Sequence, residues 1–290
     1  MPEEDELVTA RSVAERLDHV ESKPPLVYDA IDFTVRDPAG LAAELAAPLE
    51  YAQRVEAVVA AGGIESLMPR RDERVDRFLA VWTEDEQGHA TALGTLMELL
   101  GMTPHVVADT GLPPHNHVVG ALGRLSAKFH EVVVAVWATA GAMNEHLAMT
   151  AYARMDVMLQ ARDEQALHET LFRRLRAHES AHKSFYAAYA AETLARLIPW
   201  QRRLARAIVE HTYAPVGAGA KRDRPPFART VRTLAAGEWE QTLVEPVQTV
   251  AERLLNDAEP MEPFVRRAVV KCLVTDPMGI EAITLAEHAA

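Results

Sequence analysis

Glu179-Ser180-Ala181-His182, within the run Asp163 to Ala191, sets a carboxylate and an imidazole three residues apart in a segment whose apolar spacing predicts a buried helix. Residues three apart on a helix share a face. A second copy, Glu86-Gln87-Gly88-His89, lies in the segment Asp72 to Leu100, which also reads as helix. Both polar pairs fall on an apolar stripe. Phe78, Trp82, Glu86, His89, Leu93 and Met97 follow one another at steps of three or four, and so do Leu171, Leu175, Glu179, His182, Tyr186 and Tyr189. A third stripe, Val134, Ala138, Ala142, Glu145, Met149 and Tyr152, is interrupted by one carboxylate, so Glu145 reads as a bridging acid.

A solvated acid belongs on the outer face of an amphipathic helix. Ionised carboxylates on the inner face are costly unless paired or bound to metal, and several together need a cation. Carboxylate oxygens with one imidazole per ion suit iron or manganese, whereas thiolate-rich sets favour zinc or iron-sulfur clusters. The chain has a single cysteine. Two Glu-x-x-His pairs and two further carboxylates on the inner faces of four helices are the arrangement of ferritin-like di-iron or di-manganese proteins. The expected fold is therefore all-α, a ferritin-like four-helix di-metal bundle with additional C-terminal helices. Two iron ions or two manganese ions are the expected cofactor, since both metals use the same ligands.

The first bundle helix should supply the remaining carboxylate. Asp37-Pro38 is a helix start signal and Gly62-Gly63 a stop signal, with Pro48 between them predicting a kink or a break. Glu44, Glu50 and Glu56 are the candidates, and the sequence does not settle among them. Glu44 and Glu56 lie nearer the stripe of Leu41, Leu45, Ala52, Val55 and Val59. Glu50 is preferred on height, since it precedes Gly62 by about as many residues as Glu86 follows Asp72. The expected metal set is then Glu50, Glu86, His89, Glu145, Glu179 and His182. The separations between Glu50, Glu86, Glu145 and Glu179 run short, long, short, the rhythm of two helix pairs joined by one crossover.

Along the chain, residues 1–36 read as a lead-in, partly helical at most and without chemistry, residues 37–198 as the bundle, and residues 199–290 as C-terminal helices of the same single domain. The second helix ends at Gly101. Thr103 to Asn116, with three prolines, is a connection longer than bundle loops usually are and is expected to cross the bundle, so that the second and third helices run parallel. A helical run from about Val118 to Ala161 is expected to break near Gly141, and Asp163 to cap the fourth helix. Shorter helices follow Pro199, separated by Gly217 to Pro226 and by Asn256 to Pro263.

Composition agrees with a helical chain that buries a core: 49% of the 290 residues are hydrophobic and only 14 are glycine. Cys272 cannot form an intramolecular disulfide and reads as a small buried residue. No apolar run is long enough to span a bilayer, and the acidic start Met1 to Glu6 is unlike a signal peptide, so a cytoplasmic location is expected. A net charge of −12 argues against nucleic-acid binding. The charge is uneven. Arg202, Arg203, Arg206, Lys221, Arg222, Arg224, Arg229 and Arg232 face only Glu210 and Asp223 in their stretch, which would suit an acidic partner.

Trp82-Thr83-Glu84-Asp85-Glu86-Gln87-Gly88-His89 resembles the Trp-Thr-Ala-Glu-Glu-x-x-His motif of the soluble acyl-carrier-protein desaturases. Glu179-Ser180-Ala181-His182-Lys183-Ser184-Phe185-Tyr186 is similar to the second pair of that family's actinobacterial members. Leu197-Ile198-Pro199-Trp200-Gln201, His211 and Pro215 continue the likeness, which runs from about Phe78 to Pro215. The resemblance implies a non-haem di-iron oxidoreductase that removes two hydrogens from an acyl chain held on acyl carrier protein or another acyl carrier, using O2 and a ferredoxin-type electron donor. A homodimer is expected. Removing hydrogen from an unactivated C–H bond needs an oxidant that side chains alone cannot generate. By motif, Glu86, His89, Glu145, Glu179 and His182 would be ligands.

Two positions depart from the family pattern. His178 stands where family members usually have an Asp that orients a histidine, and Leu147-Ala148 replaces an Ala-Thr pair after the lone Glu. Related di-iron hydroxylases and N-oxygenases are the first alternative, although Leu175 stands where the N-oxygenases carry an extra histidine. Ferroxidase or peroxide-detoxifying activity is the second, and a bundle that has lost its metal the third.

Overall fold

The structure, a computed structural model, describes residues 12–60, 72–105, 126–235, 237–255 and 260–276. Among them there are helices and no strand. The four long helices are α2 (Pro38–Ala60), α3 (Glu73–Leu99), α4 (Ala127–Ala161) and α5 (Arg173–Arg196), preceded by a short α1 (Val13–Glu21). α6 (Pro199–Thr212), α7 (Arg224–Ala235), α8 (Glu245–Leu254) and α9 (Phe264–Leu273) follow. No helix among the described residues is long and apolar enough to cross a membrane.

The helix ends follow from local chemistry. Asp37 accepts from the Gly40 amide at 2.9 Å and so caps α2, and Asp72 accepts from the Val75 amide at 3.0 Å and caps α3. At the far end of α3, Gly101 takes the left-handed conformation that stops the helix (φ 73°). α2 continues through Pro48 without a break. The stop signal at Gly62-Gly63 and most of the expected crossover, from residue 106 to Asn116, lie outside the described residues.

Side-chain contacts give the directions. Glu56 of α2 meets His89 of α3, and Gln53 bonds the backbone of His105 just beyond α3, so these two helices are antiparallel. α5 opposes α3, with Tyr189 donating to Asp72 at one end and His182 meeting Asp85 midway. α4 opposes α5, with Trp137 against Tyr189 and Asp156 bonded to Arg176. α3 and α4 therefore run parallel, as the long connection between them predicts.

Three expectations are corrected. α4 does not break at Gly141, which instead lets the Tyr186 ring lie against the helix: a Cβ there would stand 2.4 Å from the ring. Asp163 does not cap the fourth helix. It sits in a left-handed turn (φ 58°) paired with Arg36, while the Glu164 carboxylate accepts from the Arg36 and Asp37 amides, and helix resumes at Gln165 through a wide turn at His168–Phe172. The lead-in is also less inert than its sequence suggests. Ser12 and Glu15 form a capping box on α1, which buries Val13, Leu17 and Val20 against the bundle.

The core is split. One apolar cluster holds Phe78, Trp82, Ala138, Phe185 and Tyr186, and the other Leu41, Leu45, Leu49, Leu93, Tyr152 and Phe172. Along α3, Glu86 and His89 lie in sequence between the residues that enter one cluster and those that enter the other. A buried polar layer thus sits mid-height in the bundle, walled by hydrocarbon on both sides.

Candidate metal centre

Each long helix contributes to that layer. α2 brings Glu56, α3 brings Glu86 and His89, α4 brings Glu145, and α5 brings Glu179 and His182, all of them buried. Donor atoms of Glu56, Glu86, His89 and Glu179 lie within 4.8 Å of one another, and so do those of Glu86, Glu145, Glu179 and His182. Glu86 and Glu179 belong to both groups. Either group is a cluster that could hold a metal ion.

Five of the six residues expected from sequence meet here, and Glu50 does not. Its side chain is 44% exposed and lies 3.4 Å from His105. Glu56 takes the position on α2. The reason is a stagger: α3 begins about three and a half turns before the level of Glu86, and that first part packs on α1 and α5 through Arg77–Glu21 and Arg74–Glu192, so counting from the two helix ends misjudges height. Glu56 also continues the face of Leu41, Leu45 and Leu49, whereas Glu50 is one step off it. Glu44 is at the surface, bonded to Arg162.

The role expected for Glu145 is corrected as well. It belongs to one group only, held there by the Trp82 indole, whose Nε1–H donates to Oε1 at 3.0 Å. The shared carboxylates are those of the two Glu-x-x-His pairs. Across the layer, the Tyr152 hydroxyl donates to Glu56 in the same manner.

Both imidazoles present Nδ1 to the centre. His89 Nδ1 is 3.2 Å from Glu179 Oε1, and His182 Nδ1 is 3.5 Å from Glu86 Oε1. Their far nitrogens are held from behind. His182 Nε2 bonds Asp85 Oδ2 at 3.0 Å, and His89 Nε2 meets His178 Nδ1 at 3.1 Å. His178 Nε2 in turn bonds the carbonyl of Pro24 in the lead-in at 3.1 Å. Asp85 appears in the quoted motif, but the side of α3 on which it lies gives no sign of its task without α5 in place.

The fit to a cation is tested by the atoms left over. Glu86 Oε1, Glu179 Oε1, His89 Nδ1 and His182 Nδ1 are fully buried and have no hydrogen-bond partner. Buried polar atoms are ordinarily satisfied, and four orphans in one layer fit a site that could hold a cation. Protonation gives the same result. Burial, then the charge of Glu56, pushes the Glu86 carboxyl well above the ordinary range, and burial with the charges of Glu145 and Glu56 does the same to Glu179. Burial works to raise Glu56 too, but the neighbouring Glu86 and His89 side chains and the Tyr152 hydroxyl outweigh it and hold this carboxyl below its usual range. Burial likewise opposes ionisation of Asp85, yet the His182 bond and the nearby imidazoles keep it low. An all-oxygen and imidazole donor set suits iron or manganese, and the single cysteine, Cys272, is not among the donors.

No family model, curated protein or solved structure matches the chain.

Proposed function

We propose that the chain is a ferritin-like di-metal oxidoreductase that uses O2 and a ferredoxin-type donor to act on an acyl chain, in the first instance as an acyl-carrier-linked desaturase. The observation that supports it most is the layer of four carboxylates and two Nδ1-presenting imidazoles, with two carboxylates common to both halves. Glu56 and His89 would hold one ion and Glu145 and His182 the other, with Glu86 and Glu179 within reach of both groups. When bound, a pair of iron or manganese ions would supply the redox chemistry with O2 that an unactivated C–H bond requires.

The chain's own residues would do the rest. Asp85 orients His182, and Trp82 and Tyr152 each fix one outer carboxylate by a hydrogen bond that leaves the other oxygen free for metal. The apolar clusters above and below exclude water from the layer. Of the basic stretch, Arg202 bonds the Leu194 carbonyl, Arg206 pairs with Glu210 and Arg232 with Asp276. Arg203, Lys221, Arg222 and Arg229 are exposed and would face an acidic acyl carrier.

Incubation of reduced, iron-loaded protein with acyl-carrier substrates of graded chain length, ferredoxin and O2 tests the reading by mass spectrometry. A product lighter by two hydrogens is the expected result. An oxygen-bearing product points to the hydroxylase alternative, and iron oxidation with no organic product to a ferroxidase. No product of any kind counts against all three.

A further inference from the structure

His89 can ligate a metal through Nδ1 only if the proton of its neutral ring sits on Nε2, and nothing on α3 itself arranges this. The arrangement comes from outside the bundle. The Pro24 carbonyl can only accept a hydrogen bond, so His178 Nε2, at 3.1 Å from it, must carry a proton. In a neutral His178 the other nitrogen, Nδ1, is then an acceptor. His89 Nε2 stands 3.1 Å from that acceptor and must be the donor, which leaves the His89 Nδ1 lone pair facing Glu179 and Glu56.

The competing arrangement is a charged His178 that donates from Nδ1 to Asp85 Oδ1. That contact is longer, at 3.4 Å, and Asp85 already accepts from His182 through its other oxygen. A charged ring would also turn a proton toward His89 Nε2 and push the His89 proton onto Nδ1, blocking the ligand.

Resting on the metal-centre reading above, we infer that His178 is a positioning residue that holds His89 as an Nδ1 donor, and that the lead-in carbonyl of Pro24 sets the tautomer of His178. Loading of the Glu56–His89 half thus depends on a segment outside the four-helix bundle. The Glu145–His182 half has its own anchor in Asp85 and does not.

Anaerobic titration of the full chain with Mn2+ alone, followed by electron paramagnetic resonance, separates an isolated ion from a magnetically coupled pair. Wild type is expected to bind a coupled pair. His178→Phe and the smaller His178→Leu, which cannot accept a hydrogen bond, should keep one ion and bind the second roughly ten-fold or more weakly, losing the coupled signal. His178→Asp, whose carboxylate can accept from His89 Nε2–H, should restore the pair. Retention of the coupled pair at wild-type affinity in both apolar variants overturns the inference, as does a His178→Asp variant no better than they are. Should the apolar variants fail to fold, 15N-histidine spectra of zinc-loaded wild type decide: protons on Nε2 of both His178 and His89 support the inference, and a protonated Nδ1 on His178 overturns it. Wild type that binds neither metal overturns the metal-centre reading itself, and this inference with it.

Discussion

Trp82 donates its indole Nε1–H to Oε1 of Glu145 over 3.0 Å, and the same ring stacks on Phe78 and meets Tyr186 edge-on. One side chain of α3 therefore serves both the apolar core and a carboxylate of the polar layer. Trp82→Phe keeps the aromatic contacts in large part and deletes the donor. A hydrogen bond to a charged group contributes about 1.5–3 kcal/mol, so metal affinity of the Glu145–His182 half is expected to fall by roughly ten- to a hundred-fold. A metal titration of the variant checks this, with affinity of the other half unchanged.

The α2 ligand is tested by a pair of substitutions. Glu56→Gln is expected to abolish tight binding of one of the two ions, because the amide cannot replace a buried anion that Tyr152 positions. Glu50→Gln is expected to change nothing, since Glu50 meets only His105 near the surface. Inductively coupled plasma measurement of metal per chain after desalting distinguishes them. Equal stoichiometry in the two variants would contradict the assignment of Glu56.

Metal should also stabilise the fold measurably. A ligand at about a hundred times its Kd stabilises the native state by about 2.7 kcal/mol. Differential scanning calorimetry is expected to show a rise in Tm on adding Mn2+ to the wild type, reversed by chelator. Glu179→Ala removes a carboxylate common to both groups and is expected to show no rise.

Gly141 is expected to resist enlargement. Alanine there gains about 1 kcal/mol of helix propensity but drives a methyl into the Tyr186 ring, and overpacking of this kind costs about 1–3 kcal/mol. Gly141→Ala should therefore lower Tm by a few degrees or leave it no higher than wild type. A clear rise in the thermal melt would show that Tyr186 yields without cost.

Acid should loosen the start of α3. Burial tends to raise Asp72, but Arg74, the Val75 amide and Tyr189 outweigh it, and Glu192 is lowered by its bonds to Arg74 and Arg196. A carboxyl whose folded pKa is depressed contributes stability that is present above its unfolded pKa, near 4, and is lost as pH falls through the lower folded value. Denaturant midpoints should drop below about pH 4, and Asp72→Ala should flatten part of that limb while costing about 1 kcal/mol at neutral pH through loss of the cap. A wild-type midpoint constant down to pH 2 would exclude the network as a contributor.

For the two Glu-x-x-His stripes, the sequence was enough. The steps of three and four that join Phe78 to Met97 and Leu171 to Tyr189 place Glu86, His89, Glu179 and His182 on buried faces, because a helix repeats every 3.6 residues whatever surrounds it. The parallel course of α3 and α4 was legible for a related reason: a long connection lets a chain return to the end from which it started. Relations between helices were not legible. Glu56 rather than Glu50 reaches the layer because α2 and α3 are staggered, Glu145 is drawn to one half because Trp82 holds it, and His178 and Pro24 meet although 154 residues separate them. Height and partnership across helices depend on how whole stripes interlock, and only the packed structure fixes that.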